Sequence, residues 1–149
     1  METYTEKVSG KLNDLLEKTY DAEKGFQKAA KNVKHAGLID YFEKKAQQRY
    51  DFGHELKQEI KSFGGEIDKG GSITGDAHRT WMDIKAFLSL ETEESMLEEA
   101  IRGEKAAIEE YDEVLAETSL PSSTKAILSA QKLRIQKGLN TIKRLEDLR

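Results

Sequence analysis

The stretch GGEIDKGGSITGD, residues 64–76, decides how the rest of the chain is read. It is rich in glycine and poor in helix formers, and it stands between two long helical patterns on either side. Its position, more than its composition, sets the topology. Two helices before it are separated by a short break, and two after it by another short break.

Before the stretch, the spacing predicts helix A from Thr5 or Ser9 to Lys34. Leu12, Thr19, Phe26 and Val33 recur every seven residues; Leu15, Ala22 and Ala29 form a second line, and Leu16, Glu23 and Ala30 a third. Such a wide apolar stripe is that of a core-facing helix. HAGL at 35–38 interrupts it, and helix B follows from Leu38 to Phe63. Its central line is Phe42, Arg49, Leu56, Phe63, flanked by Ile39, Ala46, Gly53 and Ile60. Gly64 and Gly65 supply the glycine stop signal.

Residues 64–92 read as a long crossover with a short helix of its own, AHRTWMDIKAFLSL at 77–90, whose Trp81, Ile84, Phe87 and Leu88 share a side. Helix C runs from Glu93 to Glu117 on the lines Leu97, Glu104, Tyr111, then Ala100, Ala107, Val114, then Ile101, Ile108, Leu115. TSLPSS ends it, with Pro121 placed for the first turn of the next helix. Helix D runs from Ser122 to Leu148 on Leu128, Gln131, Ile135, Gly138, Ile142 and Leu145, with Ile127, Arg134 and Leu148 beside that stripe. Two antiparallel hairpins joined by one long crossover make a ferritin-like four-helix bundle, all-α and a single domain over residues 1–149. The alternative is an up-down bundle with a fifth helix packed outside.

Composition narrows the function. At 149 residues the chain suits one domain and buries roughly two thirds of its unfolded surface. It has no cysteine, which excludes disulfides, thiolate metal sites and cysteine nucleophiles. Charged residues make up 35% of it, yet the net charge is −4 with both signs mixed along its length. A nucleic-acid binder would show a basic face, so nucleic acid is not an expected partner. No apolar run approaches the ~18 residues of a membrane span, and the N-terminal stretch is polar, so a cytoplasmic protein without a membrane partner is expected.

The two halves echo one another. AEKGF (22–26) in helix A matches GEKAA (103–107) in helix C, each with a Glu amid an apolar stripe. Helix B has Arg49 and Gly53, and helix D has Arg134 and Gly138, both four apart. In carboxylate-bridged dimetal bundles two helices each give one Glu and the other two each give a Glu-x-x-His pair, a donor set for iron or manganese. Glu23 and Glu104 stand in the places of the single glutamates, but the Glu-x-x-His pairs are missing. Helix B offers only Asp51-x-x-His54, and helix D has no histidine. A guanidinium cannot ligate a metal. The reading is therefore that Glu23 and Glu104 pair with Arg49 and Arg134 inside the bundle. One rival reading makes Glu23, Glu104, Asp51 and His54 metal ligands; another makes Glu23 and Glu104 residues of the stripe edge that snorkel to water. The interior glycines Gly53 and Gly138 leave room for a bulky neighbour, an Arg or a tyrosine ring.

Other features carry less chemistry. GGSITG at 70–75 lacks the Lys-Ser/Thr of a P-loop and has no strand before it. His35 and His78 have no acidic neighbour arranged for catalysis. Tyr20, Tyr50 and Tyr111 read as amphipathic residues at the core edge. The Trp81 segment packs over the bundle or, alternatively, offers a surface to a partner.

LNDLLEKTYDAEKGF (12–26), AQQRYDFGHEL (46–56), GSITGDAHRTWMDIK (71–85) and AIRGEKAAIEEYDEVL (100–115) give the chain a further resemblance. It resembles an uncharacterised bacterial family of ferritin-like four-helix-bundle proteins, a domain-of-unknown-function family. The resemblance implies the bundle fold and a bacterial origin, and no established activity. Members of that family commonly carry a histidine near the end of helix D, where this chain has Gly138 and Leu139 in KGLNTIK. That departure lowers the expectation of metal.

The function expected on these grounds is a non-enzymatic bundle, structural or interacting, with buried Glu–Arg pairs in place of a dimetal centre and no cofactor. A stress-related role comes from the wider ferritin-like resemblance. Alternatives are an iron or manganese protein for storage or oxidation, and an adaptor that forms homo-oligomers through its helical faces.

Overall fold

A computed structural model describes residues 4–62, 64–65, 89–90, 92–117, 120–143 and 147–148. Four helices carry the fold: α1 (Tyr4–Lys31), α2 (Ala36–Ser62), α3 (Glu93–Leu115) and α4 (Ser122–Thr141). The architecture is an all-α four-helix bundle, and no strand occurs among the described residues. The expected crossover helix at 77–90, with His78 and Trp81, and the GGSITG stretch lie outside the described residues, apart from Ser89 and Leu90.

α1 packs along α2, and α3 along α4; α1 also meets α3, and α2 meets α4. The ends of the helices show the direction of travel. Glu93, at the start of α3, accepts hydrogen bonds from the backbone of Lys34 (2.5 Å) and His35 (3.4 Å) in the α1–α2 turn. The end of α2 lies instead beside the start of α1, where a Cβ on Gly65 would run into the Ser9 hydroxyl. So α2 ends at one end of the bundle and α3 begins at the other. That arrangement requires a connection as long as the bundle, ~40 Å for helices of this length.

The helix ends follow from local chemistry. Gly64 sits at φ +73°, the left-handed conformation that costs glycine nothing. Its N–H donates to Lys61 (2.9 Å), and the Gly65 N–H donates to Ile60 (3.1 Å), so two final carbonyls of α2 are satisfied in a Schellman pattern. Thr92 caps α3 by accepting from the Ser95 N–H at 2.9 Å, and Glu93 and Glu94 suit the positive end of the helix dipole. α4 begins after Pro121, whose side chain offers no cap. Glu59 of α2 reaches this first turn: its carboxylate accepts from the hydroxyls of Ser123 (2.8 Å) and Thr124 (2.5 Å). A carboxylate from a different helix thus lies by the positive end of the α4 dipole, a favourable placement.

α4 stops at Thr141, whereas the periodicity predicts helix to Leu148. Asn140, Thr141 and Ile142 are all weaker helix formers than Ala or Leu, and Ile142 adopts an extended conformation (φ −114°, ψ 110°). Leu148 then packs against Gly37, where an added Cβ would lie 3.0 Å from it.

The core has two apolar halves. One gathers Phe26, Ala29, Leu38, Phe42, Leu97 and Ala100 near the α1–α2 turn. The other gathers Leu12, Leu16, Phe52, Leu56, Leu128 and Ile135 toward the far end. Burying each large side chain contributes about 1.5–3 kcal/mol. Ion pairs link α1 to α3 at Lys18–Glu110 (3.3 Å) and to the residues just past α3 at Lys7–Glu117 (3.1 Å), each adding about 0–1 kcal/mol. No described helix is long and apolar enough to cross a membrane.

Candidate functional site

Between the two apolar halves lies a layer of buried charge. Glu104 of α3 is 0% exposed and Arg49 of α2 is 2% exposed. Both stand on the central seven-residue lines of their helices, so the same periodicity that buries Leu97 and Tyr111 also buries Glu104. The guanidinium and carboxylate meet side by side. Arg49 Nη2 bonds Glu104 Oε1, and Nη1 bonds Oε2 at 3.3 Å. This two-pronged geometry is specific to arginine. Nη1 also donates to Gln48 Oε1 at 2.8 Å.

Lys45 joins the pair. Its ammonium lies 3.4 Å from Glu104 Oε2, and the residue is 8% exposed. One turn before Arg49 on α2, it presents a second cation to the same carboxylate. Burial pushes the Lys45 ammonium below its ordinary pKa, against the opposing pull of Glu104. The Arg49 guanidinium is also sandwiched by rings: Phe26 from one apolar half at 5.6 Å and Phe52 from the other at 5.8 Å. It therefore couples the two halves of the core.

A hydrogen-bonded network centred on the neutral Tyr111 and Gln131 flanks the charges. The Tyr111 hydroxyl donates to Gln131 Oε1 at 2.6 Å, and Gln131 Nε2 donates to Glu55 at 2.8 Å and to the Phe52 carbonyl at 3.4 Å. Burial holds the Tyr111 phenol well above its ordinary pKa, with Glu104 and other carboxylates adding to the shift and Arg49 opposing it. Tyr41 is raised as well, by burial first and then by Glu104.

The residues singled out in the sequence fall in different places. Glu104 and Arg49 meet. Glu23 does not join them; it is half-buried at the α1–α2 groove, where Gln27 Nε2 donates to it at 3.4 Å. Partial burial raises its pKa, while Lys57, Lys24 and His54 pull the other way. Arg134 is exposed on α4 with its guanidinium 5.0 Å from the Phe52 ring, and no carboxylate pairs with it among the described residues. Asp51 and His54 are exposed on α2: Asp51 accepts from Gln47 at 3.1 Å, and His54 meets the Tyr50 ring edge-on at 4.6 Å. Glu23, Glu104, Asp51 and His54 are thus not brought together, and no group of three or more His, Asp or Glu converges among the described residues.

Both interior glycines face side chains. Gly53 looks onto the Tyr20 ring at 3.7 Å, whereas a Cβ on Gly138 would press on the Lys45 ammonium. Lys45, Glu59, Asn13, Glu17 and Thr124 are buried polar residues outside the lines predicted from the sequence, whereas Gln131 lies on the predicted stripe of α4. The signal for two of them is a further line on α2, Leu38, Lys45, Phe52, Glu59, which is buried along its whole length.

As to relatives, no curated protein matches this chain. Residues 7–117, from the first turns of α1 to just past the end of α3, match the family described as Domain of unknown function (DUF2383). A match over that much of the chain shows that it belongs to the DUF2383 family.

Proposed function

We propose that this chain is a non-enzymatic bundle, a structural or interacting protein whose mid-core position is filled by an ion cluster and not by a dimetal centre. One observation carries the reading. Both oxygens of Glu104 are engaged by cations, Arg49 on one side and Lys45 on the other. A guanidinium and an ammonium at those distances repel a metal ion. The remaining donors that could complete a site, Asp51 and His54, face outward. The donor set does not fit a bound iron or manganese.

The cluster's work in this reading is to set register. A buried ion pair adds little net stability over apolar residues, but sliding α2 against α3 would leave three charges unpaired in the core. Cytoplasmic placement, homo-oligomerisation through helical faces and a stress-related role extend the same reading; the last rests on the ferritin-like resemblance alone.

Elemental analysis tests it. The full chain is exposed to ferrous iron or manganese without oxygen, then desalted. The expected result is a substoichiometric metal content and an unchanged Tm. About two ions per chain, as in dimetal bundles, lost on Glu104→Ala, would overturn the reading in favour of storage or oxidase chemistry.

A further inference from the structure

Lys45 has a second face. Beyond Glu104 it borders a cavity of about 490 Å³ between α2 and α4. The volume lies within the ~300–1,000 Å³ range of small-molecule sites. Four cations line it: Lys44 and Lys45 from α2, Arg134 and Lys137 from α4. Two carboxylates line it too, and both are engaged: Asp40 pairs with Lys44 at 2.9 Å, and Asp147 accepts from the Lys143 N–H at 3.0 Å. Arg134 and Lys137 have no ionic partner among the described residues.

The inner wall is built to keep the Lys45 ammonium there. At residue 138 a Cβ would occupy the space of Lys45 Nζ, so glycine lets the ammonium lie against α4. That ammonium has three protons and one ionic contact, to Glu104. Gln48 also lines the cavity; its Oε1 is taken by Arg49, which leaves the two amide donors. Donors therefore outnumber acceptors around this space. Tyr41, Ile142 and Leu148 give the wall an apolar part, and the Thr141 hydroxyl beside them donates to the Lys137 carbonyl.

We infer that the α2–α4 cavity binds a small organic anion. Its carboxylate or phosphate sits on Arg134 and Lys137 with Lys45 behind them, and its hydrocarbon body lies against Tyr41, Ile142 and Leu148. Cations beside an apolar wall select for both parts of such a molecule. The inference goes beyond the scaffold reading and does not depend on whether the mid-core holds a metal.

The test titrates the full chain, followed by amide NMR shifts, with hexanoate, hexanol and inorganic phosphate. Hexanoate is expected to saturate one site whose shifts centre on residues 41–48 and 134–142. Hexanol and inorganic phosphate each bind more weakly, because each supplies only one of the two features. Arg134→Gln with Lys137→Gln, both exposed on α4, should weaken hexanoate about tenfold. Absence of saturable hexanoate binding, or full affinity in the folded double variant, would overturn the inference. Hexanol binding as tightly as hexanoate would remove the anion from it. Phosphate binding as tightly would remove the organic body, and an inorganic anion site would take its place.

Discussion

Glu23 of α1 and Glu104 of α3 stand in matching pentapeptides, AEKGF and GEKAA, yet one lies half-buried at a groove and the other is sealed in the bundle's centre. The difference is where each falls on its helix. In α1 the central line is Leu12, Thr19, Phe26, Val33, all buried, and Glu23 belongs to a side line. An α-helix drifts by about 20° per seven residues relative to a straight line of contacts. That side line is therefore buried at Leu16 but only partly at Glu23 and Ala30. In α3 the central line is Leu97, Glu104, Tyr111, and Glu104 cannot leave it. The arginines divide the same way. Arg49 is central on α2, while Arg134 flanks a line whose buried members are Leu128, Gln131 and Ile135. Where the second half would need an ion pair, Gln131 and Tyr111 make a neutral hydrogen bond.

The strongest way to break this comparison is to remove the central cation. Arg49→Leu leaves Glu104 with Lys45 alone and is expected to cost about 3–5 kcal/mol in urea unfolding. The triple change Lys45→Met, Arg49→Leu, Glu104→Leu should recover most of that loss. By contrast Glu23→Leu should shift stability by no more than about 0.5 kcal/mol. Equal costs for Arg49→Leu and the triple change would show that the charges are not coupled.

The neutral half gives the next largest effect. Tyr111→Phe strands the Gln131 carbonyl and is expected to cost about 1–3 kcal/mol. The same phenol supplies a pH signature. The folded-state pKa of Tyr111, like that of Tyr41, is raised above its ordinary value of 10.0. Their contribution to stability is therefore fully present below pH 10 and is lost as pH rises beyond it, since the unfolded chain releases those protons first. Phenolate absorbance should show the two tyrosines ionising together with alkaline unfolding. Their ionisation in the folded chain near pH 10 would contradict the burial described above.

The outer arginine should matter less. Arg134→Leu removes a guanidinium stacked on Phe52 from an exposed position, a loss of about 0.5–1 kcal/mol. A cost as large as that of Arg49→Leu would erase the distinction between centre and flank.

The glycines sharpen the comparison at the smallest scale. Gly53→Ala adds a methyl group in ordinary contact with Tyr20 and Leu16, so helix propensity should stabilise the chain by up to about 1 kcal/mol. Gly138→Ala gains the same propensity, but its Cβ displaces the Lys45 ammonium. Its net gain should be smaller than that of Gly53→Ala, measured by the same Tm shift.

Much of this was legible in the residues. Seven-residue lines located the four helices, Gly64 and Gly65 marked the end of α2, and the long stretch at 64–92 separated two hairpins. The central lines placed Arg49 and Glu104 inside the bundle, because helical periodicity is a local property that needs no partner, but the same reading put Glu23 and Arg134 there too, and these are half-buried and exposed. What faces what is not local. Which carboxylate meets Arg49 depends on α3 lying across from α2 at one register. That Lys45 makes a third member depends on α4 presenting a residue without a Cβ beside it. Glu59 holds the Ser123 and Thr124 hydroxyls only because α4 begins beside it. These contacts join residues 55 to 93 positions apart, and only the packing of the bundle brings them within reach.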